Sequence, residues 1–168
     1  PDHMRISLNS SFFRLDLDRH RVQPITAPPD GWEGDLPPAY SPDGRYFAFS
    51  RASETAVRDI YWISLADGSL HRLTHDRMNI DGLAWSRDSS AILFSSNRGG
   101  KYSLWKIGLH DTEPVRLPVG TEDAFQPAVG PLPGQLAYAQ GSARWGINRI
   151  EGGSGAGRAA LAALRSRE

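Results

Sequence analysis

A repeat of about 45 residues constrains this chain more than any other feature of its sequence. The segment 39–50, AYSPDGRYFAFS, recurs at 84–95 as AWSRDSSAILFS, so that Tyr40 and Trp85 lie 45 residues apart. A weaker third copy, AVGPLPGQLAYA, follows at 128–139. Units repeating every 20 to 50 or so residues cannot bury their apolar faces singly and stack on their neighbours. The chain is therefore an array of similar units.

A second apolar run has the same period. Its copies are IYWISL at 60–65, LWKIGL at 104–109 and INRI at 147–150. An earlier copy, FFRLDL at 12–17, precedes the first copy of the longer segment and is followed by VQPIT at 22–26, as 60–65 is followed by 70–74. The array is therefore expected to begin part-way through a unit.

Each unit is expected to be a four-stranded antiparallel meander. Short runs of aromatic and β-branched residues alternate with turn sequences such as PDG at 42–44. The runs at 46–49 and 91–94 are apolar at nearly every position, which suits a strand buried on both faces between neighbouring sheets. Radially stacked sheets of this kind form a β-propeller, typically with about 4 to 8 blades. The sequence predicts an all-β fold of about three blades.

The chain divides into four predicted parts. Residues 1–4 are typical of a cloning remnant, and residues 5–26 hold strands c and d of a split blade, counted outward from the propeller axis. Residues 27–150 hold two full blades and strands a, b and c of another. Residues 151–168 form a glycine-rich flexible linker and a helix-prone tail.

The turn sequence SPDG at 41–44 resembles that of the TolB-like propeller repeat, and the resemblance extends over residues 12 to 150. The segment SRDS at 86–89 keeps its serine and aspartate, whereas GPLPG at 130–134 has diverged. Segments 72–76 and 94–100 also look like the propeller parts of bacterial winged-helix regulators and sensors. The resemblance implies a scaffold that binds a protein or a small molecule at the mouth of its channel.

About three blades cannot close a ring, and an open propeller leaves strand edges and blade faces bare. Two copies supply six blades, so we expect a homodimer in which residues 22–26 of one chain add an outer strand to residues 127–150 of the other. Residues 12–17 then compete with residues 147–150 for the position of strand c. The alternative is a truncated piece of a protein with further blades.

Composition excludes several kinds of function. Lys and Arg number 19 and Asp and Glu number 19, so no net charge draws the chain to nucleic acid. Without cysteine there is no disulfide, thiolate metal site or cysteine nucleophile. No apolar run approaches the roughly 18 residues of a membrane span, and no signal peptide is visible, so we expect a soluble chain, periplasmic or cytoplasmic.

Acidic residues precede each first strand of a blade, at Asp35, Asp81 and Asp123. Loops at these positions line the channel mouth of a propeller, so a closed ring would bring the carboxylates toward one axis. Clustered carboxylate oxygens suit calcium, which takes about 6 to 8 oxygen ligands. The competing interpretation is that each aspartate caps a turn through its own backbone.

Three loop residues are candidates for ligand or partner contact. Trp32 lies in a proline- and glycine-rich loop outside any predicted strand, and aromatic side chains in such places anchor interfaces. His75 and Asp76 lie in the loop before the second full blade, where a solvated polar pair is the competing interpretation.

The leading functional hypothesis is a non-catalytic binding scaffold. No nucleophile elbow, metalloprotease helix or phosphate-binding loop occurs in the propeller region. The rival hypothesis is a lactonase- or esterase-type hydrolase, in which calcium on the propeller axis polarises a carbonyl and His75 handles protons. The sequence leaves enzyme activity undecided.

Overall fold

The computed structural model describes residues 10–119 and 123–141, and their regular structure is entirely β. The strands are β1 (Phe13–Asp16), β2 (Arg21–Pro24), β3 (Gly34–Tyr40), β4 (Tyr46–Glu54), β5 (Val57–Ser64), β6 (Leu70–Arg72), β7 (Ile80–Trp85), β8 (Ala91–Gly99), β9 (Lys101–Gly108), β10 (Val115–Arg116), β11 (Asp123–Val129) and β12 (Leu136–Gly141). The described residues include no helix able to cross a membrane.

The strands form two complete sheets flanked by two hairpins. Strands β3 to β6 make one four-stranded antiparallel sheet and β7 to β10 another, each in chain order, which confirms the predicted meanders. At one end β1 pairs with β2, and at the other β11 pairs with β12. The predicted strand at 147–150, the remnant at 1–4 and the tail at 151–168 lie outside the described residues.

The turn between the first two strands has the same hydrogen bonds in both complete sheets. The Ser41 hydroxyl donates to Asp43 (2.6 Å) and accepts the Tyr46 amide (2.9 Å), and Ser86 bridges Asp88 and Ala91 at the same distances. Hydrogen bonds from serine hydroxyls, Ser86 first, lower the pKa of Asp88 to about 2. These aspartates therefore hold their own turns, as expected for Asp in a hairpin.

The main core lies between the two complete sheets. Its buried side chains come from both sheets: Ala48, Ile60, Leu73, Ile80, Leu83, Trp85, Ile92, Phe94 and Ile107. Trp85 donates from Nε1 to the carbonyl of Ala39 (3.0 Å) and stacks on Tyr46, with ring centroids 5.8 Å apart. Trp85 and Tyr46 thus fill the space between the two blades with large aromatic rings.

Each inner strand is interrupted by a bulge at the same place. The register shifts between Leu36 and Ala39 in β3, between Ile80 and Leu83 in β7, and between Phe125 and Ala128 in β11. A bulge bends its strand and redirects the side chains there. The bulges therefore change which side chains face each side of the inner strands.

The hairpin β1–β2 has the structure of strands c and d. The amide of Phe12 donates to the Thr26 hydroxyl (2.9 Å), as the amide of Ile60 does to Thr74 (2.9 Å) at the start of β5. The amide of Ile25 donates to the Phe12 carbonyl (2.8 Å), as Leu73 does to Ile60 (2.8 Å). Phe12 packs edge-on against Phe47, with ring centroids 5.6 Å apart. The hairpin is thus seated on the first complete sheet as an outer half-blade.

Candidate functional site

Two hollows lie along the inner strands β3, β7 and β11. The apolar hollow, of about 730 Å³, is lined by Tyr40, Trp85 and Val129 near the ends of these strands, with Arg87 at its edge. The polar hollow, of about 500 Å³, lies at the bulges. Hollows of several hundred cubic ångströms with a few polar groups are the usual form of a ligand site.

Asp35 is committed to an ion pair inside the first complete sheet. Its side chain is buried, at 1% exposure. Arg51 donates to it from Nε (2.6 Å) and from Nη2 (3.0 Å), and the guanidinium lies over the Phe49 and Tyr61 rings. A buried carboxylate needs such a partner to offset its desolvation. Asp35 therefore pairs with Arg51 in this chain, and its role as a calcium ligand on the axis of a closed ring stays a prediction.

Asp81 and Asp123 have different surroundings from Asp35. Asp81 lines the polar hollow. Asp123 accepts the backbone amide of Tyr102 (2.8 Å). Burial raises the pKa of the Tyr102 phenol, and the nearby charge of Asp81 adds to this effect.

No group of three or more histidine, aspartate or glutamate side chains able to hold a metal ion occurs within residues 10–119 and 123–141. One chain therefore does not bring Asp35, Asp81 and Asp123 together as a metal site. A calcium site formed on the axis of a closed ring stays a prediction.

The predicted contact residues lie outside both hollows. His75 and Asp76 are exposed in the loop between β6 and β7, and Asp76 pairs with Arg98 (3.2 Å). Trp32 is half-buried, and its amide donates to the Pro29 carbonyl (3.3 Å). Their proposed contacts with a ligand or partner stay predictions.

The polar hollow contains residues that the sequence did not single out. Arg58, from β5, and Gln126, from the bulge of β11, line it beside Asp81. Gln126 adopts a positive φ of 48°, and a Cβ on Gly82 would lie 2.8 Å from the Gln126 Cα. In the sequence, Arg58 is only an arginine at the start of an apolar strand, and this does not reveal which way its side chain points.

Comparison with known proteins identifies the family. The TolB β-propeller domain family matches residues 22–157, most of the chain. The chain belongs to this TolB β-propeller family. This TolB-type chain resembles TolB from Acinetobacter baumannii with a TM-score of 0.67 and 23% identity, over 79% of this chain and 32% of that one. The likeness shows the fold, in agreement with the predicted propeller repeat.

Two curated relatives match parts of this TolB-type chain. An uncharacterized protein of Agrobacterium fabrum is 32% identical over 58% of this chain and 30% of its own length. Dipeptidyl-peptidase 5 of Porphyromonas gingivalis is 27% identical over 70% of this chain and 18% of its own length. The chain thus spans under a third of the length of either relative.

Calcium is expected to leave the melting temperature of this TolB-type chain unchanged, because Asp35 already neutralises Arg51. A calcium site held at 100 times its dissociation constant would add about 2.7 kcal/mol of stability. For a chain of this size that corresponds to a rise of several degrees. Melting curves with calcium and with a chelator make the comparison, and a rise of that size with calcium would restore the axial calcium site.

Proposed function

We propose that this chain is a non-catalytic binding scaffold that acts as half of a propeller ring closed by a second copy. One observation carries the proposal: the two ends of the array are complementary. Strands β11 and β12 correspond to positions a and b of a blade, and β1 and β2 correspond to c and d. An a–b half and a c–d half together make the four-stranded blade found twice within the chain.

The junction is the blade that β11 and β12 of one copy would form with β1 and β2 of the other. Its strand register follows from the pairing in the two complete sheets. Val129 pairs with Leu136 as Tyr40 pairs with Phe47, so Tyr138 occupies the position of Phe49. The amide contacts of Phe12 match those of Ile60, so Phe13 occupies the position of Tyr61.

Both complete sheets have an aromatic pair at this position, Phe49 with Tyr61 and Phe94 with Trp105. The junction would place Tyr138 of one copy opposite Phe13 of the other, a third aromatic pair. Such cross-strand pairs stabilise a sheet by about 0.2–1 kcal/mol each relative to alanine pairs.

The hairpin exposes apolar side chains that a second copy would cover. Phe13, Leu15 and Val22 are 60%, 54% and 63% exposed. The edge of β12 and the free edge of β1 have no neighbouring strand among the described residues. Bare edges and apolar faces of this kind favour strand addition.

A non-catalytic role fits the candidate residues better than the calcium-dependent lactonase or esterase. That hydrolase needs Asp35, Asp81 and Asp123 around one ion with His75 nearby. The ion pair of Asp35 and the exposed position of His75 supply no observation in its favour. The two hollows instead support binding of a small molecule or a protein segment.

Cysteine cross-linking tests the junction directly, because the chain has no native cysteine. We expect a mixture of the variants Phe13→Cys and Tyr138→Cys to give a disulfide-linked dimer under mild oxidation. Side chains directly opposite across a strand pair have Cβ atoms about 4.5–5.5 Å apart, within reach of a disulfide after small adjustment. Non-reducing electrophoresis reports the covalent product.

The control pairs Arg14→Cys with Tyr138→Cys, because Arg14 points to the opposite face of β1 from its neighbour Phe13. This mixture is expected to cross-link far less. Equal yields from the two mixtures, or no product from the first, would count against the exchange of half-blades.

A further inference from the structure

The polar hollow is lined by one arginine, Arg58, and one carboxylate, Asp81, which form no ion pair with each other. Several arginines of the chain pair with carboxylates: Arg45, Arg51, Arg72, Arg77 and Arg98. Arg58 is half-buried and has no carboxylate partner within residues 10–119 and 123–141. A half-buried guanidinium of this kind favours an anionic ligand.

The guanidinium of Arg58 is held in place before any ligand arrives. Its Nη1 donates to the carbonyl of Ile80 (2.7 Å), and its backbone amide donates to Met78 (3.3 Å). Its Nε is buried and has no hydrogen-bond acceptor in the described part of the chain. A fixed donor loses little side-chain entropy when a ligand binds.

The walls of the polar hollow are mostly apolar. Leu36, Pro37, Leu83 and Pro127 line it. Two acceptor-bearing side chains, Asp81 and Gln126, complete it. A ligand that fits therefore combines an anionic group, an apolar body and a hydrogen-bond donor.

We propose that the polar hollow binds the C-terminal carboxylate of a peptide whose last side chain is apolar. The carboxylate can accept from the Nη2 end of the Arg58 guanidinium, whose Nη1 already donates to Ile80, and the last side chain matches the apolar walls. The last peptide N–H belongs to the same residue as the carboxylate, one Cα away from it, and can donate to Asp81 or Gln126. The negative charge of Asp81 disfavours a phosphate dianion at the same place.

This inference rests on the proposed binding role but not on ring closure. All residues lining the polar hollow belong to one chain. A monomer and a dimer would both present it, so the two proposals can fail separately.

The test compares two ligands that differ only at the carboxylate. Acetyl-alanyl-leucine and its C-terminal amide are titrated into the full chain while the backbone and arginine Nε–H signals are followed by NMR. We expect the acid to bind saturably and to shift the Arg58 Nε–H signal, with the amide at least about tenfold weaker, as for the loss of one charge-assisted hydrogen bond.

Matched variants assign the effect to one arginine. Arg58→Gln is expected to weaken binding of the acid at least about tenfold and to remove the preference for acid over amide. Arg87→Gln serves as the control, because Arg87 is exposed and lines the apolar hollow. This control is expected to bind the acid as the unmodified chain does.

Equal affinity for acid and amide in the unmodified chain would overturn the proposal, whether or not Arg58→Gln folds. Absence of saturable acid binding would also overturn it. If the chain is a dimer but does not bind the acid, the peptide site is wrong and ring closure stands. If the chain is a monomer that binds the acid, ring closure is wrong and the peptide site stands.

Discussion

Replacing Asp35 by alanine is expected to reduce the free energy of unfolding by about 3–5 kcal/mol, the cost of leaving a buried charge unpaired. Arg51 would remain charged and buried, and both of its hydrogen bonds to Asp35 would be lost. Urea denaturation followed by far-UV circular dichroism measures the change.

The control for this variant is Glu54→Ala. Glu54 pairs with Arg77 at 2.8 Å, but both side chains are largely exposed. Exposed pairs contribute about 0–1 kcal/mol, so the loss should be small. The double variant Asp35→Leu/Arg51→Met should recover most of the stability, since apolar replacement of a buried pair is often neutral. Equal, small losses for Asp35→Ala and Glu54→Ala would contradict a structural role for Asp35.

Replacing Phe94 by alanine is expected to cost about 3–5 kcal/mol, the usual loss for a large aromatic residue in a core. Phe94 is fully buried, at 0% exposure, in the core between the two complete sheets. The Arg98 guanidinium lies over its ring at 4.7 Å and would lose that contact as well. The same urea experiment measures the loss.

Leu132→Ala provides the comparison, because Leu132 is an exposed apolar residue in the turn before β12. Surface changes of this kind are usually within about 0.5 kcal/mol. A loss of less than about 1 kcal/mol for Phe94→Ala would be outside the range for large-to-small core substitutions and would contradict the packing between blades.

The repeat predicted the sheets because their contacts are local. Strands that follow one another in the chain pair with one another, so each unit of the sequence folds into one meander. The offset of 45 residues also predicts register: Tyr40 pairs with Phe47, and Trp85 pairs with Ile92. Trp85 lies at the repeat position of Tyr40 and contacts the neighbouring sheet through its Nε1–H.

The candidate site was harder to predict, because side-chain direction at the axis depends on bulges. An extra residue in a strand reverses the face of the side chains that follow it. The bulge of β3 begins after Leu36, and Asp35 before it lies in regular pairing opposite Arg51. The spacing of the acidic residues in the sequence grouped Asp35 with Asp81. In the structure, Asp35 is buried in its own sheet, whereas Asp81 lies in a bulge beside the polar hollow.

Arg58 was missed for a similar reason. Its partners are the carbonyl of Ile80 and the backbone of Met78, both about 20 residues away in the next unit. Contacts between units depend on how the blades stack, which the pattern within one unit does not specify.

The mass of the chain in solution, measured by size-exclusion chromatography with multi-angle light scattering, tests the half-ring most directly. Closure by a second copy predicts a single species of twice the 18.5 kDa chain mass, persisting on dilution to low micromolar concentration. A stable, folded species of 18.5 kDa at that concentration would contradict it.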